Sequence, residues 1–202
     1  MDTEEKYMSH LQGVVKIPTV SSVNDENTDW SQFDRLHQYM QEAWPLIFEK
    51  LSLTRIGKAS LLFHWKSENP KKEPVLFMAH QDVVPAIHEE QWSHPPFEGE
   101  VDGGCLWGRG AEDCKSVLTA EMDAVEELLE EDFAPDFDIY LSFGHNEEVQ
   151  CTPDKKGSVL TAAYLKEQGI HLACLFDEGG NVEEGREGEP PLALVGMAEK
   201  AP

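Results

Sequence analysis

Along this chain the spacing of apolar residues changes from helical to alternating and back. Tyr7, Met8, Leu11, Val14 and Val15 recur at helical spacing and stop before Pro18, which predicts an N-terminal helix. A polar loop, SSVNDENTDWS, leads into a second helix near residues 31–50. Short β-rich runs follow: LSLTRI, SLLFHW after Gly57, and PVLFMAH at 74–80, a buried strand fenced by KKEP and Pro85. The segment 83–104, rich in Pro, Gly, His and Trp, reads as an irregular loop. Over 115–131, Leu118, Met122, Val125 and Leu129 stand at 4-3-4 spacing and predict a long amphipathic helix. DFDIYLSFGH reads as a strand, GSVLTAAYLKEQG as a helix bounded by glycines, and HLACLFDEGG as a strand that breaks at a Gly pair. A charged link, EEGREGEPP, precedes a last apolar run, LALVGM. There is no internal repeat, and the alternation of strand and helix across 74–177 predicts an α/β sheet with helical crossovers.

That alternation gives the polar residues a location. Three predicted strands run directly into chemistry-bearing groups: PVLFMA into His80 and Asp82, IYLSFG into His145, Glu147 and Glu148, and LACLF into Asp177 and Glu178. In an open α/β sheet the C-terminal ends of parallel strands share one edge, so these groups converge. Asp113, at the loop-to-helix junction of WGRGAEDCKS, reaches the same edge. Each signal alone has a plain structural reading, as a solvated turn, a Gly-pair turn or a helix N-cap. Crowded together, bare carboxylates repel, and a divalent cation relieves that repulsion; imidazole with carboxylates suits zinc and similar ions. A cation acidifies water but leaves the proton to be taken by a base. Adjacent glutamates can divide those duties, one holding metal and the other staying free.

Composition narrows the function classes. The chain has 202 residues and a formal net charge of −23, which argues against a nucleic-acid partner. Most of that charge reads as a solvated surface. Its four cysteines show no CxxC spacing, so they predict reduced thiols rather than a zinc ribbon or redox motif. No run approaches a membrane span, and MDTEEKYMSHLQGVV lacks an apolar core of signal-peptide length. The expectation is a soluble, cytoplasmic protein with no membrane partner. GRGAEDCKS departs from a phosphate-binding loop at Arg109 and Cys114, and neither GxGxxG nor GxSxG occurs. A cysteine nucleophile at Cys114 is disfavoured by the neighbouring Glu112 and Asp113.

Four segments in register, HQDVVP (80–85), WGRGAEDCKS (107–116), GHNEEV (144–149) and DEGG (177–180), resemble the M20 metallopeptidase family. HLQGVVKIPTVSS and WSHPPFEGEVDGGCLWGRG are also similar to it, and the WGRGAEDCK and LFDEGG forms point to its carboxypeptidase S-like branch. The resemblance implies a three-layer αβα sandwich with a mostly parallel central sheet. It implies two divalent ions, zinc first, with cobalt or manganese as alternatives. His80 and Asp177 would bind one ion, Asp113 would bridge, and Glu148 would bind the second. Glu147 would be the general base, and Asp82 would hydrogen-bond the imidazole of His80. The implied substrates are peptides or N-acyl amino acids, and the implied full-length assembly is a homodimer. Where much of the family carries Asp-Asp, this chain carries Asp113-Cys114. The resemblance further implies that residues 1–202 are the N-terminal part of the catalytic domain. The lid domain and the resumed catalytic part, with its final histidine ligand, would lie beyond them. On that reading the 202-residue chain alone has little activity; the alternative is a catalytically incompetent fragment binding at most one metal ion.

Overall fold

The apolar stretch near 31–50 forms two helices, α2 (Trp30–Ala43) and α3 (Pro45–Lys50), rather than one. Pro45 cannot donate to the preceding turn, so the chain breaks at Trp44 and restarts with proline in the first turn of α3. The exposed amides of that new start are met from a distance: the Glu126 carboxylate accepts from Leu46 N at 2.9 Å and Ile47 N at 3.0 Å. This computed structural model describes residues 3–179, 182–183, 185, 188 and 190–193. The N-terminal helix α1 spans Thr3–Val15, as its periodicity predicts.

Strands β1 (Ser52–Ile56), β2 (Ser60–Trp65), β3 (Val75–His80), β6 (Ile139–Gly144) and β7 (Cys174–Phe176) form one sheet in the order β1-β2-β6-β3-β7. The sheet is mixed. β1–β2 and β2–β6 pair antiparallel, whereas β6–β3 and β3–β7 pair parallel. The antiparallel side follows from a hairpin short enough to close around Gly57 at φ 61°. The parallel side is linked by α4 (Lys115–Glu130) and α5 (Gly157–Glu167).

Period-two alternation sorts the side chains into two cores. Leu61, Phe63, Leu141, Phe143 and Ala79 pack with Leu36, Trp44, Ile47, Leu118 and Met122 of α2, α4 and the α3 region. On the opposite face Leu62, Leu76 and Tyr140 pack with Leu165 of α5. The result is the three-layer αβα arrangement, helices on both faces of the sheet. The segment expected to be an irregular loop contains a small hairpin, β4 (Glu100–Asp102) with β5 (Cys105–Trp107). Its turn uses Gly103 and Gly104 at φ 61° and 80°, which an Asp-Gly-Gly sequence permits. A further two-stranded pair joins β8 (Val182–Glu183) to β9 (Leu192–Ala193), so part of the last apolar run is a strand and its remainder lies outside the described residues.

One buried lysine ties the N-terminal helix to the start of α4. Lys115 is fully buried, and its Nζ donates to Val14 O at 3.0 Å and Ile17 O at 2.6 Å, at the C-terminal end of α1. Among the described residues, no helix is long and apolar enough to cross a membrane.

Candidate metal centre

β3 and β6 run parallel with His80 opposite Gly144, so both strands release their next residues at the same edge. His80 is 3% exposed. Its Nδ1 lies 2.8 Å from the main-chain oxygen of Asp82, which can only accept, so Nδ1 carries a proton and Nε2 is the nitrogen presented to the cleft. Nε2 faces carboxylates: Asp113 Oδ1 at 2.9 Å, Glu178 Oε1 at 3.3 Å and Glu147 Oε2 at 3.9 Å.

The Asp82 carboxylate has a different task from the one expected. It stands 3.7 Å from His80 Nδ1, and the ring is held by the Asp82 carbonyl instead. The fully buried carboxylate accepts from Glu147 N at 3.1 Å, Glu148 N at 3.2 Å and Ser21 Oγ at 2.6 Å. Asp82 therefore fixes the backbone of the glutamate doublet. Asn146 makes that contact possible by turning the chain with φ 58°, a left-handed conformation that asparagine tolerates better than most residues. Gln81 supports the same corner: Nε2 donates to Ala59 O at 2.8 Å and Phe143 O at 2.7 Å, and Oε1 lies 2.7 Å from His37 Nε2. Beneath it, Ser60 Oγ and His145 Nδ1 are 2.6 Å apart.

The remaining carboxylates are more open. Asp113 and Glu147 side chains are 68% and 53% exposed, and Glu178 is 27% exposed. Asp113 does not cap α4; the N-cap position is Cys114, which makes no side-chain capping bond. Asp177 is exposed and its Oδ1 accepts from Glu178 N at 2.9 Å. His80, Glu147, Asp177 and Glu178 line one cleft of about 120 Å³. Within it Asp177 stays apart from the tight cluster, in which the ligand atoms of His80, Asp113, Cys114 and Glu178 all lie within 4.8 Å of one another.

Electrostatics match a cation-binding site. Burial alone would hold the His80 imidazole low, but the Asp82 and Glu178 charges, with Asp113, outweigh it and raise its pKa. Burial first, and then the charge of Asp113, pushes Glu148 up. Burial also raises Glu178. An imidazole nitrogen and several carboxylates converging on one point form an N/O donor set that suits a divalent ion, so these residues fit one.

The structure therefore brings His80, Asp113 and Glu147 together, with Glu148 electrostatically coupled to them and Asp177 on the cleft wall. Two residues stand out that sequence reasoning gave no role. Glu178 was placed at the converging edge with Asp177, but the ligand role was assigned to Asp177. Glu121 lies within an amphipathic helix, and nothing in its spacing marked it. Burial, and then the charge of Asp177, pushes Glu121 up to about 8, and its Oε2 has no hydrogen-bond partner among the described residues.

A family model described as "Peptidase family M20/M25/M40" matches residues 76–191. Carboxypeptidase S of Saccharomyces cerevisiae is 37% identical over 189 residues, covering 86% of this chain and 32% of that protein. The N-fatty-acyl-amino acid synthase/hydrolase PM20D1 of Mus musculus is 36% identical over 194 residues, covering 94% of this chain and 38% of that one. Among solved structures, the M20 family metallo-carboxypeptidase Sso-CP2 from Sulfolobus solfataricus superposes with a TM-score of 0.68 at 22% identity, covering 91% of this chain and 38% of that chain. The chain thus spans about a third of the length of the relatives it matches.

Proposed function

The chain belongs to the peptidase family M20/M25/M40, and from that premise we propose that the whole protein is a metal-dependent hydrolase of peptide or N-acyl amino acid amide bonds. The observation that carries this reading is the convergence of Asp113, Glu178 and Glu147 on His80 Nε2 within 3.9 Å. The names of the relatives, a carboxypeptidase and an N-fatty-acyl-amino acid synthase/hydrolase, support the substrate class. His80, Asp113, Glu148 and Asp177 would hold two divalent ions, zinc in the first instance. When bound, such ions supply Lewis acidity toward the scissile carbonyl and acidify water.

The chain's own residues divide the rest of the work. Glu147 is the open carboxylate of the doublet, with its amide pinned by Asp82. It would take a proton from the attacking water and deliver it to the departing nitrogen. Asp82 would keep the base from drifting by holding its backbone, and would hold His80 Nδ1–H through its carbonyl, so that Nε2 stays available.

The test is Glu147→Gln in the full-length protein. Turnover of dipeptides and N-acyl amino acids should fall by at least about a thousandfold, near the upper range for a lost general base, with metal content unchanged. Loss of metal with the substitution would instead make Glu147 a ligand and refute its assignment as base. A second reading, a fragment that holds at most one ion, is supported by the single four-ligand cluster among the described residues. Metal content per 202-residue chain separates the two, two ions favouring the first and one or none the second.

A further inference from the structure

The segment between β3 and α4 holds a second cavity, one that the hydrolase chemistry leaves without a task. It measures about 480 Å³ and is lined by Ile87, His88, Gln91, Trp92, His94 and Trp107, among others, none of which lines the metal cleft. Acids are interleaved with this lining: Glu89 and Glu90 separate His88 from Gln91, His94 Nδ1 lies 2.8 Å from Glu100 Oε2, and His94 Nε2 lies 3.9 Å from Asp102 Oδ2. Between Lys72 and Arg109 the chain has no lysine or arginine. We propose that this cavity binds an arginine side chain presented by a peptide, with the guanidinium on the open surface of Trp107 and the acidic rim supplying the countercharge.

Three observations support it. Trp107 is fixed without being covered: its Nε1 donates to Asp102 O at 3.2 Å, the His94 ring stacks on it at 4.6 Å, and it remains 44% exposed. A cation laid on such a ring is attracted by its quadrupole. The local charge has the matching sign, since Arg109 stands alone against Glu89, Glu90, Glu100 and Asp102. Finally, the same segment already displays the contact, with the Arg109 guanidinium carbon 5.0 Å from the centroid of the Trp92 ring. Guanidinium suits the cavity better than ammonium because it is planar, more weakly hydrated and able to stack.

The competing account makes the two indoles braces for their own segment, since Trp92 Nε1 donates to Ile87 O as Trp107 Nε1 does to Asp102 O. Bracing alone leaves Ile87 at 69% and Trp107 at 44% exposure unexplained, and it makes the cavity indifferent to the charge of what enters.

The experiment follows the indole N–H signals of the 202-residue chain by NMR while acetyl-arginine amide is added, with acetyl-citrulline amide as the neutral probe of the same shape. The Trp107 signal should move most, with a Kd of about 1 mM. Citrulline should bind at least fivefold more weakly, and Trp107→Leu should weaken the arginine probe at least fivefold. Equal binding of the two probes overturns the inference, as do shifts confined to Trp30, Trp44 and Trp65 or binding that survives Trp107→Leu. Free arginine should bind no more tightly than the capped form; a tighter fit would make the ligand the amino acid and overturn its assignment to a peptide. No shift with probe at about 10 mM sinks the inference and leaves the cation cleft and its hydrolase chemistry standing. Should Trp107→Leu fail to fold, Glu100→Gln with Asp102→Asn decides: binding weakened at least threefold supports the inference, and unchanged binding refutes it.

Discussion

The two walls of the cleft are built on opposite principles. The wall at the ends of β3 and β6 rests on strands paired along both sides, with His80, Gln81 and Asp82 at most 3% exposed. The Asp82 carboxylate accepts from Ser21, Glu147 and Glu148, and the Gln81 amide donates to the carbonyls of Ala59 and Phe143. The wall at the end of β7 hangs from a three-residue strand whose residues are all exposed, paired in its sheet only to β3 among the described residues. Asp177 and Glu178 sit there with one local hydrogen bond, Glu178 N to Asp177 Oδ1 at 2.9 Å, and Glu178 Oε1 reaches across to within 3.3 Å of His80 Nε2. The difference separates preorganised groups from adjustable ones. Base and imidazole are fixed before any cation arrives, whereas the carboxylates on the far wall retain freedom to close around it.

Removing the keystone of the fixed wall should have the largest effect. Asp82→Ala leaves the buried Ser21 hydroxyl and two amides without their acceptor and is expected to cost about 3 kcal/mol or more. A lower urea midpoint at unchanged slope would register it. An unchanged midpoint would break the comparison outright, because the wall would then be held elsewhere.

Acid sharpens the comparison next. Burial lowers the pKa of His37 and of His145, both in the scaffold of the fixed wall, from an ordinary 6.5. The unfolded chain then binds protons that the folded chain refuses, so stability present above about 6.5 is lost as pH falls toward the lowered values. His80 runs the other way: its raised pKa adds stability below 6.5 that disappears as pH rises through the raised value. Glu121, pushed up to about 8, and the raised Glu148 and Glu178 act in the same direction as His80, so the contribution of the scaffold histidines is read as a difference between parent and variant. The melting temperature of His37→Gln relative to the parent should rise as pH falls from about 7 to 5; an identical pH profile would remove His37 from the account.

The smallest effect belongs to the open wall. Leu175 is 49% exposed, and Leu175→Ser should shift the unfolding free energy by no more than about 0.5 kcal/mol. A loss of several kcal/mol would mean that the β7 edge is as tightly determined as the β3–β6 corner.

Elements with a strong internal period were legible in the sequence. The runs read at 74–80 and 115–131 become β3 and α4 almost to the residue, because alternation and 4-3-4 spacing reflect faces that are buried. Periodicity did not report the break at Trp44, since α2 and α3 both point apolar residues at the same core. The β4–β5 hairpin escaped for the reverse reason: Glu100, Val101, Asp102, Cys105 and Trp107 are exposed and carry no burial pattern. His80, Asp113 and Glu147 could be placed because strand ends on one edge converge whatever their side chains do. The clamp by Asp82 on two amides was not legible. It depends on a left-handed turn at Asn146 and on Ser21, 61 residues away, neither of which a linear pattern encodes.

Lys115 gives the N-terminal helix a meaning beyond packing. Among the described residues its amine is held by the carbonyls of Val14 and Ile17, while its backbone neighbour Cys114 touches His80. Losing those two carbonyls would leave the Lys115 amine buried without the acceptors that hold it, one residue from the cluster. The end of α1 therefore works as a latch on the start of α4, and through it on the position of Asp113.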